Sequence, residues 1–246
     1  MNNGLSDSFS AGRTGCGNER GNVLFLVLIA VALFAALSFA VTQSTQSGGG
    51  DVSGETNSVN SSQIIHFTTD VNVSIARMLI NRQDVDKLEF NKPVDFAKCT
   101  PGFGRCVFHP QGGGIVYAPA PGNVMASTNE ADWIFNGENE VNLLGTSTGD
   151  DTSSPSTADL IAFLPGVSQN ICASINGKLG ISGIPVETGI DFSSASNMVN
   201  TNGSTDTSMN GSGATIGFDV SALDHQPLGC FEQGGIYVYY HAVVER

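Results

Sequence analysis

Residues 23–41 read VLFLVLIAVALFAALSFAV, nineteen residues in which Ser38 is the only polar side chain. A helix of about 20 apolar residues matches the ~30 Å hydrocarbon thickness of a bilayer. A helix at the surface of a soluble core would show a polar face at a period of 3.6 residues, and this run has none. The stretch therefore predicts a transmembrane helix over 22–43. It is long for the apolar part of a removable secretory signal, so retention is expected although Ser38-Phe39-Ala40 loosely fits a small-x-small cleavage site. Arg13 and Arg20 precede the run and the next basic residue is Arg77. By the positive-inside rule the N-terminus is cytoplasmic and the remainder lies on the far side of the membrane.

Working outward, residues 1–21 form a polar, glycine-rich leader without periodicity. Residues 44–61 contain three consecutive glycines at 48–50, which predicts a flexible linker, because glycine is a poor helix former. A second helix is expected from Ser62 to about Gln83, with Ile64, Ile65, Val71, Ile75, Met78 and Leu79 on one broad face and Ser61 or Ser62 as its cap. The rest reads as β-rich: runs at 114–117, 132–135, 141–144, 160–164, 215–220 and 236–244 alternate with turns such as Gln111-Gly112-Gly113 and Asn136-Gly137. Pro165 is read as opening a further helix through Val167, Ile171, Ile175 and Leu179, which Gly180 ends. Residues 145–157 and 193–213 are low-complexity and are expected as surface loops. The predicted class is α+β. A transmembrane helix and a linker lead to an extracytoplasmic domain over 62–246, in which an amphipathic helix packs on a mainly antiparallel sheet.

Lys and Arg number 10 against 23 Asp and Glu, a formal net charge of −13. That balance lacks the basic patch that phosphate binding requires, so nucleic acid is not an expected partner. Cys16 falls in the leader, whereas Cys99, Cys106, Cys172 and Cys230 lie beyond the membrane run. Four cysteines in an oxidising compartment allow three connectivities. The segment Cys99-Thr-Pro-Gly-Phe-Gly-Arg-Cys106 closes easily on itself, which leaves Cys172 with Cys230. No zinc-type Cys or His spacing is present.

Catalytic signatures are missing. There is no Gly-x-Ser-x-Gly elbow and no His-Glu-x-x-His; Asn176-Gly177-Lys178-Leu179 lacks the hydroxyl residue of a phosphate loop, and Gly102-Phe103-Gly104 is no dinucleotide fingerprint. His66, His109, His225 and His241 are scattered, and each is read as a surface or satisfied polar residue. Neither an enzyme nor a cofactor is expected. Calcium is the one ion to weigh, because Asp150, Asp151, Asp191, Asp206, Asp219 and Asp224 lie in or beside loops that could offer oxygen ligands. The ligand order of an EF-hand is absent, so these aspartates are read as solvated loop residues and no metal ligand is assigned.

Glu19-Arg20-Gly21-Asn22 immediately precedes the apolar run. A short basic leader ending in Gly and followed directly by about 20 apolar residues resembles the type IV prepilin and pseudopilin family. The resemblance covers about 25 residues closely and the remainder in outline. It implies cleavage by a prepilin peptidase between Gly21 and Asn22, an amphipathic helix on a C-terminal sheet, and a disulfide tying in the last strands, for which Cys172–Cys230 is the analogue. The family usually has Phe or Met first after the cut and Glu at the fifth mature position. This chain has Asn22 and Leu26, which points to a minor or divergent member.

The implied function is that of a structural subunit of a type IV pilus or type II secretion-like filament. Its partners would be the bacterial inner membrane, prepilin peptidase and other pilin-like subunits. Ala30, Ala32, Ala35, Ala36 and Ser38 would permit close helix approach in the filament core. The competing reading is a membrane-tethered binding module with no filament role.

Overall fold

The computed structural model describes residues 20–99, 102–145, 156–201 and 209–246, and the side chains of 20–22 and 40–53 fall outside the description. The chain forms two compact units, Met1–Val52 and Ser53–Arg246. Helix α1 (Arg20–Ile80) enters both. The backbone is thus helical throughout 44–61, and the flexible linker expected there is corrected to helix. The glycines cost roughly 1 kcal/mol each relative to alanine. Growth through them from an existing helix avoids the larger cost of a new nucleus. Among the described residues no helix is long and apolar enough to cross a membrane, and the described side chains of the apolar run end at Phe39.

In the second unit Ser61, Ile64, Thr68, Val71, Ile75 and Met78 are all buried. Their spacing alternates between three and four residues, which keeps one stripe of α1 facing the same neighbour through five turns. That neighbour is a four-stranded sheet made of β1 (Ile134–Asn136), β3 (Leu160–Pro165), β5 (Leu228–Gln233) and β6 (Ile236–Val244), in the order β1-β3-β6-β5. Every neighbouring pair in it is antiparallel. Two short strands, β2 (Glu140–Val141) and β4 (Thr215–Ile216), pair in parallel beside it.

The sheet is covered on both faces. Leu160, Ala162 and Leu164 join Tyr239 and Val243 in one cluster with α1 and with Ile171 and Ile175 of α2 (Gln169–Leu179). The alternate residues Ile161, Phe163, Val238, Tyr240 and Ala242 form a second cluster with Val141, Ile190, Ile216 and Leu223. Strands buried on both faces read as unbroken apolar runs, which is why 160–164 and 236–244 were plain in the sequence.

Several expectations shift. Pro165 ends β3 opposite Val238 instead of opening a helix. Gly166 then turns the chain, Ser168 stands at the N-cap with extended backbone, and α2 starts at Gln169. Gly180 caps α2 in the left-handed region with φ 77°, as expected. Strand β5 was not anticipated, because Gly229 and Cys230 dilute its pattern; Gly229 is needed where an added Cβ would sit 3.2 Å from the Tyr240 ring. Its signal was the Gly234-Gly235 turn, whose two positive φ angles suit the tight hairpin joining β5 to β6. In the loop 193–213, Met198, Asn200 and Met209 are buried and not solvated. Met198 donates its N–H to Phe135 along the edge of β1, which anchors this polar stretch to the sheet.

Both expected bridges are present: Cys99–Cys106, and Cys172–Cys230, which joins α2 to β5 with a Cα separation of 5.4 Å. The second closes a sequence separation of 58 residues, against 7 for the first. Chain entropy makes the longer closure worth roughly 4 kcal/mol and the shorter about 2. Urea unfolding of Cys172→Ser/Cys230→Ser should therefore show the larger loss of stability, and Cys99→Ser/Cys106→Ser the smaller.

Two buried groups oppose one another in pH dependence. Burial lowers the His241 imidazole from 6.5 to about 4; its Nδ1 lies 2.7 Å from Thr68 Oγ1. The unfolded chain takes up this proton near pH 6.5, so stability present above that pH is lost as the pH falls towards 4. Asp159 behaves in reverse. Burial raises its carboxyl from 3.8 to about 7, against the pull of backbone N–H donors from Val141 and Arg246. Its contribution is present below pH 3.8 and lost as the pH rises to about 7. Each effect is of the order of 3 kcal/mol, and over the window they share, about pH 4 to 6.5, the two slopes have opposite sign and nearly cancel, so thermal stability should be almost level there. Melting from pH 4 to 8 checks this: His241→Gln should leave stability falling as the pH rises from 4 to 7, and Asp159→Asn should leave it rising from 4 to 6.5.

Candidate functional site

The side chains that sequence reasoning singled out do not gather into one site. Gly21 and Asn22 lie in the helical backbone of α1, with side chains outside the description. Ala30, Ala32, Ala35, Ala36 and Ser38 are all exposed on α1. At 100° per residue, Ala32, Ala35 and Ala36 fall within an arc of about 100°. Ala30 and Ala35 instead share a shallow apolar hollow of about 440 Å³ with Val27, Val31 and Phe34. Large apolar side chains are open throughout this segment: Leu24 is 66 % exposed, Phe34 76 % and Phe39 64 %.

The aspartates weighed for calcium are dispersed. Asp150, Asp151 and Asp206 lie outside the described residues. Asp191 accepts from Ser193 and Ser196 and is held below the usual carboxylate range by these hydrogen bonds, against the opposing effect of burial. Asp219 accepts from Thr188 Oγ1 at 2.7 Å, and Asp224 from Asn142 Nδ2 at 2.8 Å. These three carboxylates thus act as loop ties. Among the described residues the one cluster with metal-ligand geometry is Glu89 with Cys99 and Cys106. The two sulfurs are bonded to each other, which removes the thiolates that a soft metal needs. The closeness of Glu89 to Cys106 follows from a parallel bridge between their backbones.

Histidines fare as expected. His225 hydrogen-bonds the Leu143 carbonyl at 2.7 Å, and His109 stacks on Phe103 with ring centres 4.0 Å apart. His241 is buried beside Thr68, whose Oγ1 also lies 2.8 Å from the Tyr239 hydroxyl, so α1 and β6 share a polar clasp within an apolar contact.

A trough that sequence reasoning missed is the most distinctive surface of the second unit. One wall is the solvent face of α1 from Ser58 to Asp70, and the other is residues 116–118; the volume is about 640 Å³. The lining is largely apolar, with Val59 60 % and Val116 81 % exposed. Phe67 forms part of it, stacked on Trp133 at 5.0 Å. A recess under Pro119 and Pro121 adjoins it and reaches Trp133. The titratable side chains of the trough are His66 and Asp70, 2.9 Å apart across one helical turn. Lys178 lines an adjoining hollow with Ser62, His66 and Asp70 and is bound to Ser58, Ser61 and Ser62, which ties α2 to α1. The expected strand at 114–117 was the sequence signal: it carries strand character but finds no strand partner among the described residues.

Two glycines explain how this wall approaches the helix. A Cβ on Gly113 would lie 2.3 Å from Ser74 Oγ and 2.4 Å from the Val107 carbonyl oxygen, and one on Gly112 would lie 2.1 Å from the Cys106 carbonyl oxygen. Ser74 donates to the Gly113 carbonyl at 2.9 Å and fixes the contact.

Comparison of the chain with family models, with curated proteins and with solved structures finds no match.

Proposed function

We propose that the chain is a structural subunit of the pilin-like kind, held in a bacterial inner membrane by residues 22–43 and assembling into a filament through the same helix. The observation that carries this reading is the apolar surface of α1 from Val23 to Phe39, whose large side chains stand open to solvent. Exposed apolar area on this scale marks a surface that lipid or protein covers in use. The sequence from Glu19 to Asn22 supports the choice of family. The packing of the later part of α1 on an antiparallel sheet, with Cys172–Cys230 joining α2 to β5, agrees with the layout that resemblance implies.

In this reading the leader is cytoplasmic, prepilin peptidase cuts after Gly21, and the Ser53–Arg246 unit is extracytoplasmic. Assembly exchanges lipid contacts for helix–helix contacts, which in a bilayer depend on close approach at small residues. Intact mass of the membrane-extracted protein should correspond to a chain starting at Asn22. A chain starting at Val41 would mean ordinary secretion and would remove the filament reading.

The arc formed by Ala32, Ala35 and Ala36 gives a sharper test. Replacing all three with Leu raises apolarity, so insertion should be unaffected. Close helix approach would be blocked, and the protein should vanish from sheared surface filaments while remaining in the membrane fraction. Normal assembly of the triple variant, or a wild-type protein that never leaves the membrane, would favour a tethered binding module. The trough beside α1 is the observation in favour of that second reading.

A further inference from the structure

Residues 114–118 read GIVYA, and their exposure alternates as in a strand: Ile115 and Tyr117 pack against the core, whereas Val116 and Ala118 face out. Among the described residues the segment joins no sheet. The nearest ladder contact is the bridge between Ala120 and Ala131, where Pro119 and Pro121 flank Ala120. Among the described residues the N–H groups of Ile115, Val116, Tyr117 and Ala118 donate to no acceptor. Nor do the carbonyls of Ile115, Val116 and Tyr117 accept; that of Ala118 takes the Trp133 indole N–H at 3.1 Å.

Open strand edges are usually blunted by lysine, proline or a bulge, and 114–118 has none of these. A row of open amides beside an apolar trough is the surface on which an extended peptide adds as a strand, its backbone giving affinity and its alternate side chains specificity. A helical occupant satisfies its own amides and would leave this row open.

Charge selects among extended occupants. The chain carries −13 overall; the acid in the trough, Asp70, is 53 % exposed and paired with a histidine, while the nearby Lys178 ammonium is taken up by Ser58, Ser61 and Ser62. A second copy brings the same negative charge and is repelled, whereas a basic segment is attracted.

We propose that this trough binds an extended basic segment of a partner protein as an added strand along 115–118, with apolar side chains on Val59, Phe67 and Val116 and a Lys or Arg reaching Asp70. The inference does not depend on whether the apolar helix assembles into filaments.

The probe is a blocked seven-residue peptide alternating valine and lysine. It is titrated into the full chain held in phosphatidylcholine nanodiscs, with empty nanodiscs as control. Trp133 is the sole tryptophan and lines the adjoining recess, so its fluorescence reports occupancy. Saturable binding is expected. N-methylation of alternate peptide amides should weaken it by about tenfold or more, as loss of backbone hydrogen bonds requires. Asp70→Asn should weaken it similarly and reduce its salt dependence, with melting unchanged; a valine–glutamate peptide should not bind.

The proposal is overturned if the valine–lysine peptide shows no saturable binding, or if the N-methylated peptide binds equally well. An amphipathic leucine–lysine helix binding as tightly would also overturn it. So would self-association of the chain that Val116→Lys abolishes, because the occupant would then be a second copy.

Discussion

The two-sided burial of β3 and β6 constrains everything else in the Ser53–Arg246 unit. Odd and even residues of these strands serve different clusters: Tyr239 and Val243 face α1 and α2, while Val238, Tyr240 and Ala242 face the loops around β2 and β4. A slip of one residue would exchange the two sets wholesale, and no partial compromise exists. The register therefore also fixes where α1 lies, because its buried stripe must meet the Tyr239 face. Thr68 reinforces the choice. Its hydroxyl meets both Tyr239 and His241, two residues apart on the same face of β6, and only one helix position satisfies both.

With α1 fixed, the surrounding segments have few ways to settle. Ser74 takes the Gly113 carbonyl, which brings the 114–118 wall alongside the helix. Glu138 performs a comparable task on the loop 193–213: its carboxylate accepts from Asn210 Nδ2 and from the backbone and hydroxyl of Ser212. Asn139 exchanges two hydrogen bonds with the Asp191 backbone. Buried polar groups are thus used to hold loops that have too few apolar residues to hold themselves, consistent with the cost of leaving such groups unpaired.

Much of this was legible in the sequence. The strand 236–244, the run 160–164, the end of α2 at Gly180 and both cysteine pairings rest on local signals: apolar runs, a cap and loop closure. What was not legible rests on tertiary contact. Three glycines at 48–50 predict a break, yet the backbone continues as helix because extension is cheaper than termination between two helical stretches. Pro165 satisfies helix-start and strand-end rules equally, and only its pairing with Val238 decides. Met198 and Met209 sit in sequence surroundings that read as solvent-exposed, and nothing local reveals that the sheet edge captures them. Of the trough only the strand character of 114–117 was legible; that this segment pairs with no strand among the described residues depends on tertiary placement.

The bridge between Cys172 and Cys230 has a mechanical consequence. A chain pulled at its ends transmits force along covalent bonds, and this bridge diverts that force past the 58-residue separation between its cysteines. At about 3.4 Å per extended residue, roughly 200 Å of contour length is thereby withheld from extension under load. The segment so shielded includes β4, most of α2 and the loops over the second cluster. Force instead runs through the β5–β6 hairpin, whose strands lie antiparallel and hydrogen-bonded along six residue pairs. Extension under load is thus confined to the residues outside the bridge, and the length between Cys172 and Cys230 is released only when the bridge is reduced.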